Sequence, residues 1–292
     1  MHSFTIKDLE NLSGIKAHTI RIWEQRYSFL KPGRTDTNIR SYSNDELKKL
    51  LNVALLNKFG FKISHIDGMT ETEINEKILS LNQLEAQQEK ILNMLIQNMV
   101  DLDMESFEAL LDDFIVARGI EKTILQIIFP FLEKIGILWL TNHINPAQEH
   151  LVSNIIRQKL IVGIQTVSSH VTINKSVLLF MPEGEYHETS LLFMHYILKS
   201  KGVSCIYLGS NVPIRDLEYV VKIKKPHYLY THLTSCSSKF NLEKFISIVN
   251  KTFSRTEVII SGRLTRTYAK KIAPPVYFKR SFDEVMAFVS SL

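Results

Sequence analysis

The sequence predicts a multidomain fold in which an all-α part precedes an α/β part. Three observations support this fold class. Two short amphipathic helices joined by a small-residue turn open the chain, a helical apolar period runs from residue 74 to about residue 166, and short apolar runs then alternate with amphipathic segments up to residue 292. We therefore expect a winged helix-turn-helix head over 1–70, a four-helix bundle over 74–168 and a five-stranded, doubly wound parallel sheet over 175–292.

The predicted head is built on two helices and a hairpin. Thr5 indicates the start of the first helix because its hydroxyl can accept hydrogen bonds from the free amides of the first turn. Gly14 marks the turn, and apolar side chains at spacings of three and four predict a second helix over 17–27. The chain then breaks at 30–34 and continues as a short basic segment over 38–42, which is typical of a wing that lies along a phosphate backbone.

The head resembles the winged-helix head of MerR-family transcription regulators. The residues that carry this resemblance are Ile20 to Tyr27, Leu30-Lys31-Pro32, Arg34 and Arg40-Ser41-Tyr42. It implies a non-enzymatic protein that binds double-stranded operator DNA as at least a homodimer, because such heads read palindromic sites. The side chains that we expect to contact DNA are Lys16, His18, Arg21, Arg26, Tyr27, Arg34, Arg40 and Tyr42. The plainer alternative is a small helical domain whose basic face is only solvated.

Charge is distributed unevenly along the chain. Residues 1–70 carry 11 Lys and Arg against 7 Asp and Glu, whereas residues 68–121 carry 3 against 12. The first segment suits a polyanion, and the acidic segment suits solvent or a protein partner. Cys205 and Cys236 are too few for a disulfide framework, and the lack of a long apolar run predicts a soluble, cytoplasmic protein that does not enter a membrane.

The carboxyl-terminal half offers one candidate metal ligand. The first predicted strand ends in a loop that contains Glu185 and His187, and ligands bind at the carboxyl ends of strands in doubly wound sheets. An imidazole in that loop can ligate a metal through one nitrogen while a carboxylate holds the other nitrogen. Taken alone, a Glu-x-His pair is more often an ordinary polar loop near a helix start.

This half resembles the cobalamin-binding domain of methionine synthase, of base-off corrinoid mutases and of the MerR-type regulators that sense adenosylcobalamin. Its Asp/Glu-x-His-x-x-Gly motif is matched by Glu185, His187 and Ser190, its Ser-x-Leu motif by Thr231 and Leu233, and its Gly-Gly motif by Ser261 and Gly262. The resemblance implies a Rossmann-like cobalamin-binding fold, bound adenosylcobalamin or a related corrinoid, and His187 as the lower axial ligand of cobalt. Ser190 and Ser261 depart from the motif, and each adds a side chain where the family has glycine, which we expect to weaken binding rather than abolish it.

The bundle carries a second element of the same resemblance. Trp139, followed ten residues later by Glu149 and His150, resembles the cap that lies over the upper face of the corrin in cobalamin-sensing regulators. An indole offers a flat apolar wall for an adenosyl group, and the polar pair can hydrogen-bond its ribose or base. In light-responsive relatives a histidine follows the cap tryptophan, but Leu140 stands there in this chain. Light sensing is therefore not expected unless His143 or His150 substitutes.

Three functions follow as hypotheses. The first is a transcription regulator that senses a corrinoid and couples its binding to oligomerisation, as a homodimer or homotetramer, and to operator affinity. The second is a MerR-type regulator whose degenerate sensor domain needs no cofactor and binds a protein partner or only oligomerises. The third is a corrinoid methyl carrier, against which the DNA-reading head is the main argument.

Overall fold

The computed structural model describes residues 3–35, 38–81, 83–140, 145–234 and 240–292, with side chains at 137–140 left out of the description. The chain divides into two compact units, Met1–Ile155 and Ile156–Leu292. Within the described ranges, no helix is both long enough and apolar enough to span a membrane.

The head has the predicted helix-turn-helix plan with a two-stranded wing. Its elements are α1 (Ile6–Ser13), α2 (Ala17–Arg26), β1 (Gly33–Arg34), β2 (Arg40–Ser41), α3 (Asn44–Lys58) and α4 (Ile63–Ile66). Thr5 caps α1 in a capping box with Asp8, and Ser43 caps α3 in the same way with Glu46. Gly14 ends α1 at a left-handed φ of 73°, which a residue without a side chain adopts at little cost.

Apolar side chains from every element of the head meet in one core. Leu9 and Leu12 of α1, Ile20 and Trp23 of α2, and Leu47 of α3 are all buried. Burial of these side chains fixes the angle between α1 and α2, so that the opposite face of α2 is presented to solvent.

Helices fill the rest of the first unit, as the sequence predicts. They are α5 (Glu71–Leu79), α6 (Leu84–Asp101), α7 (Met104–Arg118), α8 (Ile120–Thr123), a π-helical segment (Ile124–Ile128), α9 (Phe129–Leu140) and α10 (Pro146–Thr166). The last of these helices continues past Ile155 into the second unit. Residues 120–140 form α8, the π-helical segment and α9 in direct succession.

The head and the helices that follow it pack directly on each other. The Asn93 side chain of α6 is buried and donates from Nδ2 to the carbonyl of Leu51 in α3 at 3.3 Å. Lys58 of α3 pairs with both Glu85 and Glu89 of α6, at 2.8 and 2.9 Å. The polar sequence of 68–72 suggests a boundary that few apolar contacts would cross, but α3 and α6 on its two sides pack on each other.

The second unit is the predicted five-stranded parallel sheet. Its strands are β3 (Ile173–Pro182), β4 (Val203–Val212), β5 (Tyr228–His232), β6 (Glu257–Ser261) and β7 (Val276–Lys279), in the spatial order β4-β3-β5-β6-β7. Its helices are α11 (Thr189–Ser200), α12 (Ile214–Lys224), α13 (Leu242–Thr252), α14 (Arg263–Thr267) and α15 (Phe282–Ser290). The chain moves from β3 outward to β4 and then returns to β5 on the other side of β3. The carboxyl ends of β3 and β5 therefore form the switch point where such sheets bind ligands.

Helices cover both faces of this sheet, which confirms the doubly wound fold. Leu229 of β5 lies in one buried cluster with Leu217 of α12 and Phe245 of α13. Its neighbour Tyr228 points the other way and meets the ring of Phe288 in α15, with 5.3 Å between ring centroids.

Candidate functional site

The outer face of α2 presents the charged side chains that the sequence assigns to DNA. Lys16, His18, Arg21 and Arg26 are exposed along one helix and its start. Lys16 also lies 3.5 Å from the carboxylate of Glu10, in an exposed ion pair that costs little to break. Tyr27 follows at the end of α2, partly buried against the ring of Phe29.

The wing presents one exposed arginine and one that is held in place. Arg34 is exposed, and its Nη1 donates to Oδ1 of Asn38 at 2.8 Å across the hairpin. Arg40, on β2, donates instead from Nε to Oε2 of Glu24 in α2, also at 2.8 Å. Glu24 thus connects the wing to the helix that carries the predicted DNA contacts.

The structure corrects the prediction for Tyr42. This side chain is fully buried, and its hydroxyl donates a short hydrogen bond to Oε1 of Glu24. Burial raises the pKa of Tyr42 well above its ordinary value, and the hydrogen bond to Glu24 acts in the same direction. Its backbone also pairs with Phe4 on the far side of the head. Tyr42 therefore belongs to the core and supports Glu24, rather than reaching a DNA surface.

In the second unit, Glu185 and His187 lie together at the carboxyl end of β3. Nδ1 of His187 is 2.7 Å from Oε1 of Glu185, and Glu185 is fully buried while the His187 side chain is 43% exposed. A carboxylate can only accept, so Nδ1 carries the proton and the lone pair of the ring lies on Nε2. This is the tautomer that ligation of a metal through Nε2 requires.

Backbone amides from two loops also hold the Glu185 carboxylate. Oε1 accepts from the backbone N–H of Tyr186 and of His187, at 3.0 and 3.1 Å. Oε2 accepts from the backbone N–H of Thr234, beyond β5, at 2.9 Å. The buried charge therefore has donors on both oxygens and joins the loops at the switch point, which fixes the orientation of the imidazole.

Thr231 and Leu233 lie close by on and after β5. Thr231 is fully buried, and its Oγ1 has no hydrogen-bond partner among the described residues. A buried hydroxyl without a partner is costly, so this atom is a candidate for a hydrogen bond to a ligand. The backbone of Leu233 is held between Ser261 and Leu264, with its N–H donating to the Ser261 carbonyl at 2.9 Å and its carbonyl accepting from Leu264 at 3.2 Å.

Gly262 is required by its contact with Leu233. Its φ is +100°, and a Cβ built there would lie 2.4 Å from the carbonyl oxygen of Leu233. This position can therefore hold only glycine without displacing the loop after β5. The retained glycine of the motif thus sets the spacing between the ends of β5 and β6.

The serines at the two other motif positions have different surroundings. Ser190 lies in the first turn of α11 and is partly buried. Ser261 is buried, and its Oγ lies 2.6 Å from the hydroxyl of Tyr230 and 2.9 Å from Nδ1 of His232. The hydroxyl that replaces a glycine hydrogen is therefore fully engaged by neighbouring side chains.

Sequence reasoning missed Tyr230 and His232 as part of this region. Burial lowers the pKa of His232 to about 4, a shift that Arg266 reinforces and Glu185 opposes, so its ring is neutral near pH 7. One feature of the sequence could have indicated this role, namely a histidine between Thr231 and Leu233, the two residues that match the motif. Its contact with Ser261 depends on the register of β5 and β6, in which His232 and Ser261 are direct partners.

A second missed group surrounds Glu188, the residue after His187. Glu188 accepts from Nη2 of Arg157 in α10 and from the hydroxyl of Tyr207 in β4, both at 3.0 Å. Burial raises the pKa of Tyr207, and the nearby Glu188 charge adds to this effect. These contacts hold the far end of the His187 loop.

Of the predicted cap, the structure describes Glu149 and His150 only. Both lie near the start of α10, where Oε2 of Glu149 is 3.4 Å from Nδ1 of the exposed His150 and Oε1 accepts from Ser153 at 2.8 Å. The Trp139 and Leu140 side chains, together with His143, lie outside the described residues. The cap assignment stays a prediction.

The donor set around His187 fits a corrinoid better than a free metal ion. No cluster of three or more His, Cys, Asp or Glu side chains with metal-binding geometry occurs in the ranges that the structure describes. One imidazole of fixed tautomer suffices where a macrocycle supplies the remaining ligands of the metal. The buried, unpartnered Thr231 hydroxyl adds a group that can bind another part of such a ligand.

Comparison with known families matches two parts of the chain. Residues 4–73 match the family described as MerR HTH family regulatory protein, and residues 91–162 match the family described as B12 binding domain. The second match covers helices α6 to α10 and ends before the sheet begins.

Two curated relatives align over nearly the whole chain. The HTH-type transcriptional repressor CarA of Myxococcus xanthus is 26% identical over 288 residues, which is 97% of this chain and 94% of the relative. The HTH-type transcriptional repressor CarH of the same organism is 26% identical over 275 residues, which is 91% of each. Among solved structures, the monomethylamine corrinoid protein of Methanosarcina barkeri has a TM-score of 0.52 at 12% identity and covers 70% of this chain and 100% of its own, a likeness of fold alone.

Proposed function

We propose that this chain, which joins a MerR helix-turn-helix domain to a B12 binding domain and is homologous to the repressors CarA and CarH, is a DNA-binding transcription regulator that senses a corrinoid. The relatives that align along its length are named as repressors and not as enzymes. Operator DNA is its proposed partner, with repression as the proposed effect, and we expect it to act in the cytoplasm.

The observation that carries this proposal is the pairing of Glu185 with His187 at the switch point of the sheet. A bound corrinoid would supply a cobalt ion that can accept a nitrogen ligand from the protein. Glu185 holds the proton on Nδ1, so Nε2 is the nitrogen of this half-exposed ring that would bind cobalt. Thr231 offers its unpartnered hydroxyl to another part of the same ligand.

The finer assignments follow the same resemblance. Adenosylcobalamin is the proposed corrinoid, with Trp139, Glu149 and His150 as the proposed contacts of its upper ligand and Ser190, Leu233, Ser261 and Gly262 beside the remainder. Ligand binding would favour a homodimer or homotetramer, which raises operator affinity because linked heads bind the two halves of a site together. A further protein partner for the acidic helices is compatible with this assembly.

The proposed DNA contacts are six basic side chains of the head together with Tyr27. Lys16, His18 and Arg21 lie along the exposed side of α2 and its start, and Arg26 lies at the end of α2. Arg34 and Arg40 extend the surface onto the wing, and Tyr27 lies between helix and wing. Phosphate contacts of this kind position the protein, and contacts from α2 to base edges would select the sequence.

The visible absorption spectrum of the purified full chain tests the cofactor assignment. After incubation with adenosylcobalamin in the dark and removal of free ligand, we expect wild type to retain corrinoid with a histidine-ligated spectrum. His187→Ala should lose that spectrum, and His170→Ala, which removes an exposed histidine of the same unit, should keep it. A colourless wild-type protein, or a His187→Ala spectrum equal to that of wild type, would refute the assignment.

One observation favours a second function. Ser261 carries a side chain at a family glycine position, and its hydroxyl is engaged by Tyr230 and His232 in a buried hydrogen-bonded group. Side chains that occupy the glycine position in this way favour the alternative of a regulator that needs no cofactor and binds a protein partner or only oligomerises. In that case the colourless protein would still bind operator DNA. The methyl-carrier alternative has no use for the DNA-reading head and is set aside.

A further inference from the structure

The Glu24 carboxylate occupies an unusual position for an acidic group on a surface that binds DNA. It lies on α2, between the exposed Arg21 and Arg26, yet its own side chain is only 8% exposed. Both of its oxygens are engaged by the wing strand, Oε2 by Arg40 and Oε1 by Tyr42. A negative charge placed here repels phosphate, so a carboxylate at this position suggests a compensating role.

The geometry of Arg40 indicates that role. Its Nε is used by Glu24 at 2.8 Å, its side chain is 31% exposed, and neither Nη group has a hydrogen bond to another described residue. A guanidinium held at Nε has its two remaining amino groups fixed as a fork, which matches the paired oxygens of a phosphate. The long side chain then loses little further freedom when it binds.

We propose that Glu24 is a positioning residue for operator binding, which holds Arg40 so that its free Nη groups meet a backbone phosphate. Tyr42 keeps the carboxylate in place from the core, which gives the buried tyrosine a function without a DNA contact of its own. The inference rests on the proposed DNA binding and is independent of the corrinoid. The wing and α2 thereby approach the duplex as one unit, since a single carboxylate joins them.

Removal of the Glu24 charge should change DNA affinity in the opposite direction to the one that charge repulsion alone predicts. If Glu24 acted only through its charge, its removal would strengthen binding to any DNA, because one repulsive charge is lost. If Glu24 positions Arg40, its removal weakens operator binding. Glu10 supplies the matched control, since it is another carboxylate of the same head, is paired with Lys7 and Lys16, and has no hydrogen bond or ion pair to the described residues of the wing.

The experiment measures dissociation constants of the full chain at several salt concentrations. The probes are a duplex that wild type selects from a random-sequence pool and an unselected duplex of equal length. Glu24→Met should weaken binding to the selected duplex about tenfold, as expected for loss of one charge-assisted contact. The slope of log affinity against log salt should fall by about 0.9, the value for one phosphate contact. Glu10→Met should leave binding to the selected duplex equal or tighter, and Glu24→Gln, whose amide oxygen still accepts from Arg40, should fall between Glu24→Met and wild type.

A double-mutant cycle with Arg40→Ala separates positioning from a structural role. In the Arg40→Ala background, Glu24→Met has nothing left to position and should leave binding to the selected duplex equal or tighter. If Glu24→Met is unfolded, the same cycle is completed with Glu24→Gln. Equal losses in both backgrounds, or unweakened binding by the single variant, would overturn the inference. Failure of wild type to bind any duplex would instead refute the proposed function.

Discussion

The head and the sheet each contain a buried carboxylate that holds one nitrogen of a basic side chain, but the two sites are built differently. Glu24 receives its hydrogen bonds from the side chains of Arg40 and Tyr42. Glu185 receives backbone N–H bonds from two loops in addition to the bond from His187. In the head, only side chains hold the carboxylate that orients Arg40. In the sheet, backbone N–H groups also hold the carboxylate that orients His187.

Because of this difference, substitution of the carboxylate should affect binding and protein stability separately in the head, but together in the sheet. In the head, loss of the carboxylate should change affinity for DNA with a modest effect on the fold. At the switch point, the same loss leaves backbone donors from two loops unpaired, so cofactor affinity and stability should fall together.

The largest expected effect is on a glycine of the sheet. Gly262→Ala places a methyl group 2.4 Å from the Leu233 carbonyl at a φ of +100°, and we expect it to lower the free energy of unfolding by about 3 kcal/mol or more. Gly14→Ala in the head also has a positive φ, but open space surrounds it, and its cost should be about 1 kcal/mol. Urea unfolding followed by circular dichroism gives both values. Equal losses in the free energy of unfolding for the two variants would contradict the close contact between Gly262 and Leu233 at the ends of β6 and β5.

Glu185→Gln should weaken corrinoid binding about 10- to 100-fold. The amide nitrogen of glutamine has to face either the His187 ring or the Thr234 N–H, so one donor meets another donor. Corrinoid titration followed by visible absorption measures the loss, and the melting temperature should fall in the same variant. Glu183→Gln, an exposed change in the same loop, serves as control. Unchanged affinity with Glu185→Gln would remove Glu185 as the orienting group.

His232 should make stability depend on pH. Its pKa is lowered by burial to about 4 in the folded chain and is about 6.5 when unfolded, so the unfolded state binds more protons between these values. Stability from this group is complete above pH 6.5 and falls as pH falls toward 4, by about 2 kcal/mol at pH 5. The advantage of wild type over His232→Gln should shrink by that amount between pH 7 and pH 5. A pH-independent difference would show that the ring is solvated.

The smallest expected effect concerns Arg21, an arginine of the head that no described carboxylate holds in place. Arg21 is exposed, without an ion pair to another described residue, so Arg21→Ala should leave the fold intact. If the side chain contacts one phosphate, the slope of log affinity against log salt should fall by about 0.9. An unchanged slope and affinity would remove Arg21 from the DNA surface.

Much of the architecture could be predicted from local sequence signals. The capping boxes at Thr5 and Ser43, the hairpin wing and the five short apolar strands each have a local signature, and the structure contains all of them. The pair of Glu185 and His187 was equally accessible, because both residues lie in one loop after a recognisable strand.

The errors concern contacts between distant segments. Tyr42 follows a basic strand of two residues, and its burial depends on pairing with Phe4 across the head, which no local pattern records. The neighbours of Ser261 depend on the register of β5 against β6. The segment 68–72 is polar, which suggests a boundary between domains, yet α3 and α6 on its two sides pack on each other.

The central claim is that a corrinoid held by His187 changes the affinity of the head for DNA. Its most direct test is the dissociation constant of the full chain for its selected duplex, with and without adenosylcobalamin in the dark, in wild type and in His187→Ala. We predict that the corrinoid tightens binding by wild type at least about fivefold, a coupling typical of regulatory proteins, and has no effect on His187→Ala. Equal affinity with and without corrinoid in wild type, or an equal change in both proteins, would contradict the account.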